Sequence, residues 1–109
     1  MSTSMMALGL AKKAGKVIVG APLVVEAVRS KRPPSLVIVS REASDNTKKK
    51  LYDKCKSFGV NIYETDAATE CLSHALGGRA SVACAAICDA GLAELFLRRA
   101  ANESKRNEE

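Results

Sequence analysis

The stretch "SLVIVSREASDNTKKKLYDKCKSFGVNIYET", residues 35–65, decides the fold. Its first six residues read as a buried-type strand, because a short unbroken β-branched and apolar run suits a strand covered on both faces. Pro33 and Pro34 stand just before it and force an extended entry. Residues 41–47 form a polar loop rich in helix-capping residues. Leu51, Cys55 and Phe58 then recur at spacings of four and three, the mark of a helix, and Gly59 stops it. Residues 60–65 read as the next strand. The unit is strand, helix, strand.

The same alternation extends in both directions. Residues 3–15, "TSMMALGLAKKAG", predict a helix with Met6, Leu10 and Ala14 on its inner side and Gly15 as its stop. "VIV" at 17–19 is a short β-branched strand. The following helix presents Leu23, Val24, Ala27 and Val28 on one face. Beyond residue 65, a fourth helix over 66–78 presents Ala68, Cys71, Leu72 and Ala75. A fourth strand, "SVACAAICD", spans 81–89, and a last helix is led by Leu92, Leu95 and Phe96. Residues 101–109 read as a frayed polar tail outside a single domain at 1–100. The strict order α-β-α-β-α-β-α-β-α predicts an α/β fold, a three-layer α-β-α sandwich with a central four-stranded, mostly parallel or mixed sheet. Ligands of such sheets usually meet the loops at one end of the strands.

The chain of 109 residues allows one domain, and 47% apolar residues supply a core. Aromatics make up only 4%, so that core is built from Val, Leu, Ile and Ala. The net charge is +5, and its distribution is uneven. Residues 1–56 carry twelve Lys/Arg against four Asp/Glu, and residues 57–109 carry five against eight. A basic half of this kind makes polyanions plausible partners.

Catalysis finds little support. No glycine-rich phosphate loop follows a strand, and "GLAKKAGK" lies within a helical pattern. His74 has no carboxylate placed to orient it. The four cysteines form no Cys-x-x-Cys pair, which argues against zinc, and they are expected reduced and buried in a cytoplasmic protein. The expectation is a non-enzymatic monomer without metal or cofactor. The apolar run at 82–88 is too short for a membrane span.

The start of the second helix, "VGAPLVVEAV" at residues 19–28, is more informative. Pro22 suits a first helical turn, and the residue before a proline avoids the α region. Ala21 is therefore the expected N-cap, and it has no side-chain oxygen with which to cap. The amides of Leu23 and Val24 are then left for water or for a phosphate, where a missing cap costs ~1 kcal/mol. Basic residues flank this region. Lys12, Lys13 and Lys16 precede the first strand, while Arg29, Lys31 and Arg32 follow the second helix. Arg41 leaves the second strand. Lys48, Lys49 and Lys50 open the third helix, near the positive end of its macrodipole, where a docked anion would relieve repulsion.

Several separated blocks match one family in order: "LGLAKKAGKVIVG", "AVRSKRPPSLVIVSREASDNTKKKLYDKCKSFGVNIYE" and "LSHALGGRASVACAAICDAGLAELF". They cover residues 5–97, and the chain resembles the ribosomal protein L7Ae family, whose relatives include L30e and Gadd-type proteins, nearest its short bacterial YlxQ-type members. The resemblance implies a structured RNA as partner, ribosomal RNA or another kink-turn, a duplex bent sharply at sheared G·A pairs. Carried over, it gives Gly20 close backbone approach and makes Lys16 and Arg41 phosphate contacts. Arg79, Ala80 and Ser81 fall where a loop covers an extruded base, with Gly77 and Gly78 letting that loop turn. The chain departs from the pattern where many kink-turn binders carry base-reading polar residues. Here Pro22, Leu23 and Glu26 occupy those places. A Pro cannot donate, Leu cannot read a base edge, and Glu26 repels phosphate. The expectation is an RNA-binding protein reading backbone and shape, with a protein-interaction module anchored on Leu23 as the alternative.

Overall fold

The computed structural model describes residues 2–78 and 81–108, the last five of these as backbone only. Its elements follow the expected order: α1 (Thr3–Lys13), β1 (Val17–Val19), α2 (Ala21–Val28), β2 (Leu36–Ser40), α3 (Asp45–Phe58), β3 (Ile62–Thr65), α4 (Thr69–Ala75), β4 (Cys84–Ile87) and α5 (Ala90–Glu108). The sheet order is β1-β4-β2-β3. Only β2 and β3 pair in parallel; β4 runs antiparallel to both β1 and β2. The sheet is thus mixed rather than mostly parallel. The reason lies in α4, whose seven residues span only about 10 Å. It does not carry the chain back along the sheet, so β4 starts at the end where β3 stops.

Side chains alternate across the strands and divide the core in two. Leu36, Ile38, Ala85 and Ile87 face α1, α4 and α5, where Met5, Leu8, Ala11, Leu72 and Phe96 close over them. Val37, Val39, Cys84 and Ala86 face α2 and α3, meeting Val24, Val28, Leu51 and Cys55. This is the predicted three-layer sandwich.

Several faces differ from expectation. Helix α1 buries Ser4, Met5, Ala7, Leu8 and Ala11, whereas Met6 and Leu10 are 52% and 49% exposed. Apolar residues occupy most of its circumference, so periodicity alone admits either phase. On α2, Val24, Val25 and Val28 are buried and Leu23 is exposed. Cys55 and Cys84 are buried, but Cys71 and Cys88 are exposed. Burial pushes the thiols of Cys55 and Cys84 up to about 11.

The last helix, α5, spans the stretch on both sides of residue 100. Its Glu103 accepts hydrogen bonds from the Ser4 amide (2.8 Å), the Ser4 hydroxyl (2.7 Å) and the Thr3 hydroxyl (3.0 Å). Helix α1 has no acidic residue in its first turn. Glu103 supplies the negative charge that its N-terminus favours. Burial raises the Glu103 carboxyl, but the hydrogen bonds from Ser4, Thr3 and Ser2 outweigh it and hold the group below its ordinary value.

Candidate nucleic-acid interface

Strand direction sorts the predicted residues onto two poles. β1, β2 and β3 end, and β4 begins, at what is here termed the upper pole. The Gly20 amide donates to Cys84 O (3.1 Å), Ser40 donates to Ala83 O (2.8 Å), and Arg41 donates to Thr65 O (2.9 Å). These bonds line up the four strand ends. Gly20 and Arg41 therefore stand two strand spacings apart, about 10 Å. Ser81 is exposed two residues before Ala83. Arg79 and Ala80 lie outside the described residues. Gly77, with φ 71°, closes α4 ahead of this segment in the left-handed conformation that glycine tolerates best.

Gly20, not Ala21, is the N-cap of α2, with φ 95° and ψ 143°. Only glycine adopts such a backbone without strain, and this frees Ala21 to enter the helix with Pro22 behind it. The Val24 amide is taken by Gly20 O at 3.0 Å. The donors left without an acceptor among the described residues are thus Ala21 and Leu23, since Pro22 has no N–H. A Cβ placed on Gly20 would meet nothing within 4 Å, so the Cα of Gly20 faces open space.

The other helix starts differ. Ser2 caps α1 through the Met5 amide (3.3 Å), and Ser44 caps α3 through Thr47 (3.2 Å). Glu42 reaches across to the Thr69 amide of α4 (3.0 Å), and Asp89 accepts from Leu92 in α5 (2.8 Å). Sequence reading missed the Glu42 cap, because it joins residues 27 positions apart. Among described helix starts, α2 alone has no side-chain acceptor.

Charge at the upper pole is mixed. Arg41 is exposed and makes no ion pair among the described residues. Lys48, in the first turn of α3, is instead committed to Glu64 of β3 at 3.6 Å. Pro22 is exposed and Leu23 is 58% exposed, adding an apolar step beside the open amides.

Lys12, Lys13 and Lys16 do not join this surface. Helix α1 delivers them to the opposite, lower pole, where Lys16 O accepts from Cys88 at 2.7 Å. Four extended residue steps, about 13 Å, separate Lys16 from Gly20 along β1. Neighbours in sequence, they are divided by the length of a strand.

An open cleft of about 670 Å³ lies between α1, α5, β3 and α4. Asp66, Glu70 and Glu103 line it, together with His74 and Cys71. Its acidic lining disfavours phosphate. No group of metal-ligating side chains occurs among the described residues, and no described helix is long and apolar enough to cross a membrane.

Comparison with known proteins adds to this geometry. The family model described as "Ribosomal protein L7Ae/L30e/S12e/Gadd45 family" matches residues 3–97. The chain is 38% identical over 90 residues to the RNA-binding protein YlxQ of Bacillus subtilis, covering 83% of this chain and 87% of that one. A solved structure of a Bacillus halodurans protein of unknown function superposes with TM-score 0.77 at 33% identity, covering 88% of this chain and 98% of that one. A 15.5 kD RNA binding protein of Giardia lamblia shares the fold, with TM-score 0.71 at 19% identity over 89% and 84% of the two chains.

Proposed function

The chain belongs to the ribosomal protein L7Ae/L30e/S12e/Gadd45 family, and on that premise we propose that it is a small, non-enzymatic RNA-binding protein that holds a structured RNA, a kink-turn or similarly bent duplex, at its upper pole. One observation carries the reading: the Ala21 and Leu23 amides lie open beside Gly20, with Arg41 and Ser81 on the same rim of the sheet. Backbone donors at a helix start suit phosphate or base-edge oxygens. Arg41 supplies an exposed cation for the ribose-phosphate chain. Pro22, Leu23 and Glu26 do not read base edges, so recognition rests on shape and backbone. The reading sets the protein in the cytoplasm as a monomer.

The test is a gel-shift series across salt with a kink-turn, the same RNA lacking its sheared G·A pairs, and a plain duplex. The kink-turn is expected to outlast both competitors as salt rises. Equal weak binding of all three at moderate salt would refute kink-turn recognition.

The 58% exposure of Leu23 favours a second reading, a protein partner seated on the α2 start. Leu23→Glu would then abolish capture of that partner and leave RNA binding unchanged or improved.

A further inference from the structure

The cations absent from the upper pole gather at the lower one. Helix α1 ends with Lys12 and Lys13, and Lys16 precedes β1. Arg29 is the C-cap of helix α2, and Lys31 and Arg32 follow before Pro33. Hydrogen bonds bind these segments together across the sheet. Lys16 O accepts from Cys88, and Ile87 O accepts from Ser35 at 2.9 Å. Lys16 also stands close enough to Cys88 to draw its thiol downward against the larger effect of burial.

All six cations are exposed, and none forms an ion pair among the described residues. Asp89, just after β4, caps α5, and Glu26 stands about one turn before Arg29 on α2 without pairing to it. Cations near the ends of α1 and α2 do complement the helix dipoles, but that explanation does not reach Lys16, Lys31 or Arg32, which lie outside helices. Their shared property is a net positive field on one pole, six cations without an ion pair among the described residues.

We infer that the lower pole is a second RNA contact, which takes the phosphate backbone of a double-stranded segment independently of the upper pole. This rests on the reading of the protein as an RNA binder. The segments that carry the six cations, residues 12–16 and 29–32, hold no aromatic side chain, Asn or Gln, so their contacts are to phosphates, while the exposed Phe58 and Asn61 stand apart from them on the same pole, before β3. The two poles lie at opposite ends of a sheet whose longest strand has five residues, about 17 Å. One molecule thereby holds two RNA segments, and each raises the effective concentration of the other.

Fluorescence anisotropy of a labelled plain RNA duplex tests this with full-length protein. The lower-pole variant is Lys12→Gln/Lys13→Gln/Lys16→Gln/Arg32→Gln, and the upper-pole variant is Arg41→Gln. All five positions are exposed, and thermal melts check that the variants fold. The lower-pole variant is expected to lose at least about tenfold in duplex affinity near 50 mM salt and to flatten the salt slope by about three to four. Single Lys16→Gln and Arg32→Gln variants should each flatten it by about one. Arg41→Gln should leave duplex affinity nearly unchanged and weaken the kink-turn complex instead. Duplex affinity within about twofold of wild type in the lower-pole variant would overturn the inference. So would no duplex binding by wild type, or equal binding of a poly-glutamate peptide, which assigns the patch to acidic protein. Loss of kink-turn preference, with duplex binding still dependent on Lys16 and Arg32, defeats the upper-pole reading and leaves this inference standing.

Discussion

Gly20→Ala separates the structural from the functional part of the upper pole. Gly20 sits at φ 95° and no neighbour crowds its Cα. An added methyl therefore meets no steric clash, and the whole cost is conformational. Forcing an L-residue into such a backbone costs about 1–2 kcal/mol. In a domain of this size each kcal/mol lowers the melting temperature by about 4–8 °C. The variant should melt roughly 4–16 °C below wild type. Gly78→Ala is the control, since Gly78 has no positive φ and its added Cβ would approach the Ser73 hydroxyl at an ordinary 3.4 Å. It should melt within a few degrees of wild type. The methyl would also stand where close backbone approach of RNA at Gly20 is expected, so RNA affinity at a temperature where both proteins are folded should fall. Thermal melts by circular dichroism and RNA anisotropy read the two effects separately. A Gly20→Ala protein as stable as wild type would show that the backbone is not held at this angle, and the reasoning about the helix start would fail.

Three further outcomes follow from the geometry. Pro22→Asn with Leu23→Glu places polar side chains where base edges are read, and kink-turn affinity should rise about tenfold or more in a gel shift. Glu103→Gln removes the charge at the start of α1 and should cost about 1 kcal/mol at neutral pH. Because the folded Glu103 carboxyl lies below its ordinary value, this stability is present above about pH 4.3 and is lost as pH falls through the folded value, so melts of wild type and variant should converge in acid. In the folded protein, Cys71 and Cys88 should react with a thiol reagent while Cys55 and Cys84, buried with pKa values of about 11, stay unlabelled until unfolding, as mass spectrometry would count.

The layer order was legible because apolar runs, prolines and stop glycines punctuate the chain at regular intervals. The buried strand at Leu36–Ser40 and the α3 face of Leu51 and Cys55 read directly. The inner side of α1 did not. Met6 and Leu10 satisfy helical spacing as well as Met5 and Leu8 do, and packing with α5, fixed by Glu103, decides between them. At the interface, Gly20 and Arg41 were readable as loop residues at strand ends. The separation of Lys16 from Gly20 was hidden, since a short strand turns near neighbours in sequence into opposite poles. The Ala21 cap was misassigned by one position because glycine at positive φ can cap a helix that alanine then enters.

The central claim is that RNA docks on the open start of α2. Amide chemical-shift mapping of isotope-labelled protein, titrated with a kink-turn RNA, tests it most directly. The account predicts the largest changes at Ala21 and Leu23, with Arg41 and Ser81 following. Changes confined to the cleft lined by Glu70, His74 and Glu103, with the Ala21 and Leu23 amides unmoved, would contradict it.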